Sequence, residues 1–184
     1  LRQHVHMEAG TERTIVIGCR PIELGDVNAG SRPWSEVEHP PTDDDGEAVV
    51  IHVLAFNEQR QDRATPDDMA AYQEAAGRIA QPHGVRVDGW FTADGTIVGD
   101  GRSWDQVRFN AFPSRAAFMA VVADPARLEA QQHHREPALA DTYALIVRPM
   151  INRLAESVKI GPVSADSASE PPTSTARDAG DVTS

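Results

Sequence analysis

Apolar residues along this chain come in blocks whose spacing alternates between the period of a strand and that of a helix. The first clear block is Val49-Val50-Ile51-His52-Val53-Leu54-Ala55-Phe56, closed by the polar Asn57-Glu58-Gln59-Arg60. Val49, Ile51, Val53 and Ala55 share one face; Val50, His52, Leu54 and Phe56 share the other. A strand apolar on both faces is covered on both. Thr65-Pro66-Asp67-Asp68 then reads as a helix start, with Thr at the cap, Pro at the first helical position and acids in the first turn. Met69, Tyr72, Ala76 and Ile79 recur at helical spacing until Pro82-His83-Gly84. Val85–Phe91 alternates loosely and predicts a second strand. Asp94-Gly95 signals a hairpin, and Gly99-Asp100-Gly101 extends the connection. Trp104–Phe112 predicts the third strand, with Val107, Phe109 and Ala111 on one face and Trp104, Gln106, Arg108 and Asn110 on the other. Pro113 ends it, and Ser114 caps a helix carrying Phe118, Val121 and Val122. Asp124-Pro125 breaks that helix, a second helical segment follows to about Arg135, and Thr142–Arg148 is the last strand.

The order is β-α-β-β-α-β over residues 48–150. It predicts an α+β, ferredoxin-like domain: a four-stranded antiparallel sheet with the helices on one face. That arrangement leaves one sheet face bare. Because the first strand is apolar on both sides, a second copy of the sheet is the expected cover, giving a homodimer of the dimeric α/β-barrel type. Residues 1–47 read as an irregular extension or linker. Thr14-Ile15-Val16-Ile17 is a candidate edge strand, and Gly25, Gly30, Pro33, Pro40, Pro41 and Asp43-Asp44-Asp45 suit a loop. Residues 151–184 predict a short helical turn over Asn152–Lys159, then a disordered tail from Gly161. The chain opens on Leu1, which points to a fragment or an unusual start codon, with Met7 as a candidate beginning.

Composition narrows the partners. The 184 residues carry a formal charge of −11, which argues against nucleic acid and anionic membranes, since both need a basic surface. Residues 1–47 hold four Arg against ten acids, whereas residues 48–150 hold ten against thirteen and are nearly balanced. Cys19 is the only cysteine, so neither an intrachain disulfide nor a cysteine-based zinc site is expected. No apolar run approaches a membrane span, and Leu1–Gly10 lacks a signal-peptide core, so a cytoplasmic location is expected. Nucleotide loops, nucleophile elbows and metal spacings are missing, and no cofactor is expected. His133-His134 is no metal pair, because adjacent helical residues point about 100° apart.

The stretch Gly99–Ile146 resembles the bacterial family of domain of unknown function 1330, within the dimeric α/β-barrel superfamily. The shared features are Gly99-Asp100-Gly101, Trp104-Asp105, Phe112-Pro113-Ser114-Arg115-Ala116-Ala117-Phe118, Asp124-Pro125, His134-Arg135, and Ala138-Leu139 with Asp141. The first-strand segment and the helix with Tyr72 fit more loosely. The resemblance covers roughly residues 48–149 and implies the fold and dimerisation, but no reaction, because one fold hosts many functions. The family commonly carries an Asn in the first strand. This chain has His52 or Ala55 there and reaches Asn57 only at the strand end.

Candidate chemistry follows from face assignment. With Val107, Phe109 and Ala111 assigned to the helices, Gln106, Arg108 and Asn110 are expected to point into the space between two sheets. Trp104 is then at its mouth, Trp90 a wall, and His52 looks the same way. Arg108 would anchor an anionic or enolate-like group, Asn110 and Gln106 would orient it, and His52, which titrates near neutral pH, would act as general base. His134 and Arg135 either tie the helix end to the sheet or line the pocket. Asp100 and Asp105 read as turn and capping groups. Three functions stay open: a cofactor-independent oxygenase- or isomerase-like enzyme acting on a small organic or anionic substrate, a non-catalytic ligand-sensing module, and a structural dimerisation protein.

Overall fold

The computed structural model describes residues 14–57, 65–99 and 101–154, with only the backbone of 65–67. The cap assigned to Thr65-Pro66-Asp67, Asp100, Met7 and the tail from Gly161 therefore lie outside the described residues or side chains.

Nine-residue Ala48–Phe56 (β2) is an interior strand, pairing antiparallel with Gln106–Phe112 (β4) on one side and Leu139–Val147 (β5) on the other. Val16–Pro21 (β1) and Arg86–Val98 (β3) complete a five-stranded sheet in the order β1-β3-β4-β2-β5, antiparallel throughout. Thr65–Ala80 (α1) and Arg115–Val122 (α2) are the main helices. Pro125–Ala130 (α3), a π-helical turn at Gln131–Arg135 and Glu136–Ala138 (α4) lead into β5. Without β1, the strand order is that of the ferredoxin-like fold.

The sheet has one strand more than the four expected, and this explains a second difference. Asp94-Gly95 makes no hairpin turn. Gly95 lies opposite Gly18 in the β1–β3 ladder, and Arg20 Nε holds Asp94 Oδ1 at 2.7 Å. Given a backbone partner along its edge, the Asp-Gly pair stays extended.

Face assignment differs more consequentially. Phe112, on the same side of β4 as Arg108 and Asn110, joins Val50 and Val121 in the core under the helices. Its ring meets Phe118 edge-on at 5.2 Å. Val107 and Phe109 lie on the opposite face with Val53, Trp104, Ile51, Phe91 and Tyr143. Both faces of the sheet are apolar enough to be buried, so apolarity alone does not decide which one the helices take. Gln106, Arg108 and Asn110 consequently face the helices and not the space a second sheet would fill.

Caps fix where the helices begin. Ser114 Oγ accepts from Ala117 N at 3.1 Å and donates to His39 O at 2.8 Å. Asp45 of the N-terminal segment accepts from Arg115 N and Ala116 N at 2.8 and 3.0 Å, and these bonds hold its carboxyl below the usual range. Asp124 caps α3, bonding Ala126 N and Arg127 N. No helix among the described residues is long and apolar enough to cross a membrane.

Candidate functional site

Between the sheet and the helices lies a cavity of about 500 Å³, in the size range of small-molecule sites. Its floor is built by register. His52 of β2 lies opposite Arg108 of β4, which lies opposite Trp90 of β3. One step along, Val50 faces Asn110, and Asn110 faces Val87. Val87 and Trp90 are three residues apart and would alternate to opposite faces in a regular strand. A register shift between Val87 and Gly89 absorbs the extra residue and turns both toward the cavity.

Arg108 is only 7% exposed. Both its Nε and Nη2 donate to Gln106 Oε1, at 2.9 and 2.6 Å, and its guanidinium sits 4.2 Å from the centre of the Trp90 ring. Burial, and then the nearby charge of Arg135, push its pKa down to about 10. It is still charged at neutral pH. The Trp90 indole N–H donates to Asn110 Oδ1 at 3.2 Å, and Asn110 Nδ2 lies 3.5 Å from His52 Nδ1. Burial pushes His52 down to about 4, helped by Arg135, Arg108 and Arg127, so the imidazole is neutral at pH 7.

The helical layer adds two further cations. Arg127 of α3 reaches Val122 O at 3.3 Å and the Tyr72 hydroxyl at 3.4 Å. Arg135, at the end of the π-helical turn, donates to Thr142 Oγ1 of β5 at 3.3 Å and lies 6.0 Å from the Tyr72 ring centre. Burial lowers its pKa too. Arg108, Arg127 and Arg135 all line the cavity, and among the described residues none of them has a carboxylate within ion-pair distance.

Of the residues singled out from the sequence, His52, Arg108, Trp90, Asn110 and Arg135 line this one cavity. Gln106 sits beside it and holds Arg108. Trp104 is not at its mouth: it packs on Tyr143 at 5.2 Å on the far face of the sheet. His134 turns to Asp68 on α1, at 3.8 Å. Asp105 Oδ2 accepts from Phe56 N at 2.6 Å, bridging the loop to the end of β2. His133 spends its Nδ1 on Glu129 O at 2.9 Å. Among the described residues no three His, Cys, Asp or Glu side chains converge on one point.

Sequence reasoning missed Arg127, Tyr72 as a polar group, and the wall formed by Leu24, Val27, Asn28 and Ser31. Arg127 and Arg135 are eight residues apart, two turns along one helical stretch, and that spacing was a usable signal. The N-terminal wall had none, since its contacts are made by side chains of an irregular segment.

No family model matches the sequence, and no curated protein matches it. Solved structures do. The chain is similar to a protein of unknown function from Rhodopseudomonas palustris at 22% identity and a TM-score of 0.51, over 61% of this chain and 96% of that one. A methylated form of that protein gives 21% and 0.52, over 63% and 97%. A DABB-family protein with a ferredoxin-like fold from Mesorhizobium loti gives 10% and 0.45, over 57% and 98%. At such identities the likeness carries the fold alone.

Proposed function

We propose that this protein binds a small organic anion in the cavity between its sheet and helices. The carrying observation is that Arg108, Arg127 and Arg135 line one cavity and, among the described residues, none of them has a carboxylate within ion-pair distance, while the one acid of the lining among those residues, Glu74, pairs with Arg78. Arg108 is buried and Arg127 and Arg135 are half-buried, so the three like charges repel one another and lose part of their hydration. An anion entering the cavity restores both terms at once, and guanidinium groups match carboxylate, sulfonate or phosphate oxygens in two-pronged geometry. Calorimetric titration with pairs of organic acids and their neutral amides tests this. The acids should bind roughly a hundredfold tighter than the amides, by about 2.7 kcal/mol, and Arg108→Met should abolish the difference. Equal binding of acid and amide would sink the reading.

A catalytic use of the same residues is the second reading, favoured by a neutral His52 in register with a charged Arg108. The unprotonated Nδ1 is the basic atom, held only by a long contact to Asn110. With its pKa at about 4 the ring is a weak base in the empty cavity. An anion bound beside it would raise that value, and Nδ1 would then take the proton from the substrate carbon while Arg108 stabilises the enolate-like oxygen. Loss of proton exchange at the substrate carbon in His52→Gln, with binding retained, is the expected sign.

We further propose that the chain is a diverged relative of the domain of unknown function 1330 family and pairs as a homodimer through the other sheet face. The shared motif residues of 99–146 support the first point. The second rests on Ile51, Phe91, Phe109 and the 53% exposed Leu145, which lie on the face away from the helices. The cavity does not depend on that pairing.

A further inference from the structure

The cavity is closed on one flank by a segment outside the six-element domain. After Pro21, the chain leaves the β1–β3 ladder yet keeps following the edge of β3. Ile22 N bonds Trp90 O at 2.8 Å. Asn28 then replaces a strand residue with its side chain: Nδ2 donates to Val87 O at 2.9 Å, and Oδ1 accepts from Val87 N at 2.8 Å. Ser31 Oγ donates to Val85 O at 2.5 Å, Arg32 N to Gln81 O at 3.0 Å, and Trp34 Nε1 to Gly84 O at 2.7 Å. Between the anchors at Ile22 and Asn28 the backbone arches away from the sheet, through Gly25 at φ +60. Leu24 and Val27, carried on this arch, line the cavity.

Charge is graded across the space they close. Arg135 leans on Thr142 of β5, at one side of the sheet. His52 and Arg108 follow on β2 and β4. On the β3 side the lining includes Val85 and Val87, and the N-terminal segment adds Leu24, the 36% exposed Val27 and the uncharged Asn28 and Ser31. The one acid of the lining among the described residues, Glu74 of α1, pairs with Arg78. A ligand whose anion meets the arginines therefore directs the rest of its body at the N-terminal arch.

We infer that Leu24 and Val27 set the length of the apolar body the site accepts, and that the ligand class is an organic acid with a compact hydrocarbon or aromatic body. This rests on the reading of the cavity as an anion site. The pocket wall rejects a body too long by steric clash and too short by leaving apolar surface unfilled. One methylene in such a pocket changes affinity by about tenfold or more.

The test is calorimetry on the full chain with phenylacetate, 3-phenylpropanoate, 4-phenylbutanoate and 5-phenylpentanoate. Wild type should show one preferred length. Leu24→Ala and Val27→Ala should move that preference to a longer acid, and Leu24→Phe to a shorter one, each by about tenfold in relative affinity. Unchanged melting and circular dichroism would confirm that each variant is folded, and the two directions of change guard against a merely loosened segment. If every variant keeps the wild-type preference while Arg108→Met still abolishes the difference between acid and amide, the anion site stands and the wall is overturned. If wild type binds none of the four acids, the anion site and the wall fall together.

Discussion

The indole N–H of Trp90 donates to Oδ1 of Asn110 at 3.2 Å, and this bond decides which end of the amide meets His52. An indole can only donate, so the amide oxygen must face it. The amide nitrogen, also a donor, is then left for His52 Nδ1 at 3.5 Å. That nitrogen must hold a lone pair, which places the proton of the neutral ring on Nε2. Nitrogen-resolved NMR should find His52 in the Nε2–H form at pH 7. Trp90→Phe should release the amide and allow both tautomers. Asn110→Asp should raise the His52 pKa by setting a carboxylate beside Nδ1. A wild-type ring protonated on Nδ1 would overturn the chain of reasoning at its first link.

The same ring makes stability depend on pH. Its folded pKa, about 4, lies below the ordinary value near 6.5, because burial and three arginines disfavour the charged form. The unfolded chain takes up a proton below about 6.5 while the folded chain resists until about 4. The contribution is therefore intact above pH 6.5, falls by on the order of 3 kcal/mol as pH drops through this window, and is flat below it. Urea unfolding of wild type against His52→Gln isolates the effect from the carboxylates. The difference between the two proteins should change by that amount between pH 7 and pH 4, and parallel pH profiles would contradict it.

Much of the architecture was legible because period and punctuation agreed. The alternation of Trp104–Phe112, the Ser114 cap and the Asp124-Pro125 break each specify a local geometry that tertiary packing then uses. The faces were not legible in the same way. Val107 and Phe109 look like core by alternation, but Phe112, Val50 and Leu54 form an equally apolar set on the side of Arg108 and His52. Local pattern sets parity along a strand and leaves open which parity meets the helices. Even Trp90 escapes parity, because the irregularity after Val87 shifts it by one. Asp94-Gly95 failed for a different reason: a turn signal is overridden once β1 supplies an edge partner. The arch of Leu24 and Val27 could not be read at all, since it is held by side chains of Asn28, Ser31 and Trp34 reaching backbone some fifty to sixty residues away.

That arch gives a stability prediction at Gly84. This residue sits at φ +75, and an added Cβ would lie 2.9 Å from Val37 Cγ1, 3.0 Å from Trp34 Cδ1 and 3.1 Å from Arg32 O. Backbone strain and close approach act together, so Gly84→Ala should cost about 1–3 kcal/mol. Because the Gly84 carbonyl accepts from Trp34, the variant should also expose that indole, read as a red shift in its fluorescence. An unchanged or raised unfolding free energy would show that the N-terminal segment does not dock along β3 as described.

Leu145 provides the corresponding test on the other side of the sheet. It lies opposite Ile51 in the β2–β5 ladder, and Ile51 lies opposite Phe109, whose ring meets Phe91 edge-on at 5.8 Å. The row crosses four strands without a charge, and no helix among the described residues covers it. Burying such a row against its own copy removes apolar surface from water on both subunits. Light scattering on the full chain should therefore give a dimer, and Leu145→Glu, which would put a carboxylate from each copy into an apolar seam, should give a monomer. The cavity opens on the opposite face, so the monomeric variant should bind organic acids with wild-type affinity. A wild-type monomer at micromolar concentration would remove the dimer and leave the anion site untouched. Loss of acid binding in the Leu145→Glu monomer would instead show that the arginine cavity needs the partner copy to hold its shape.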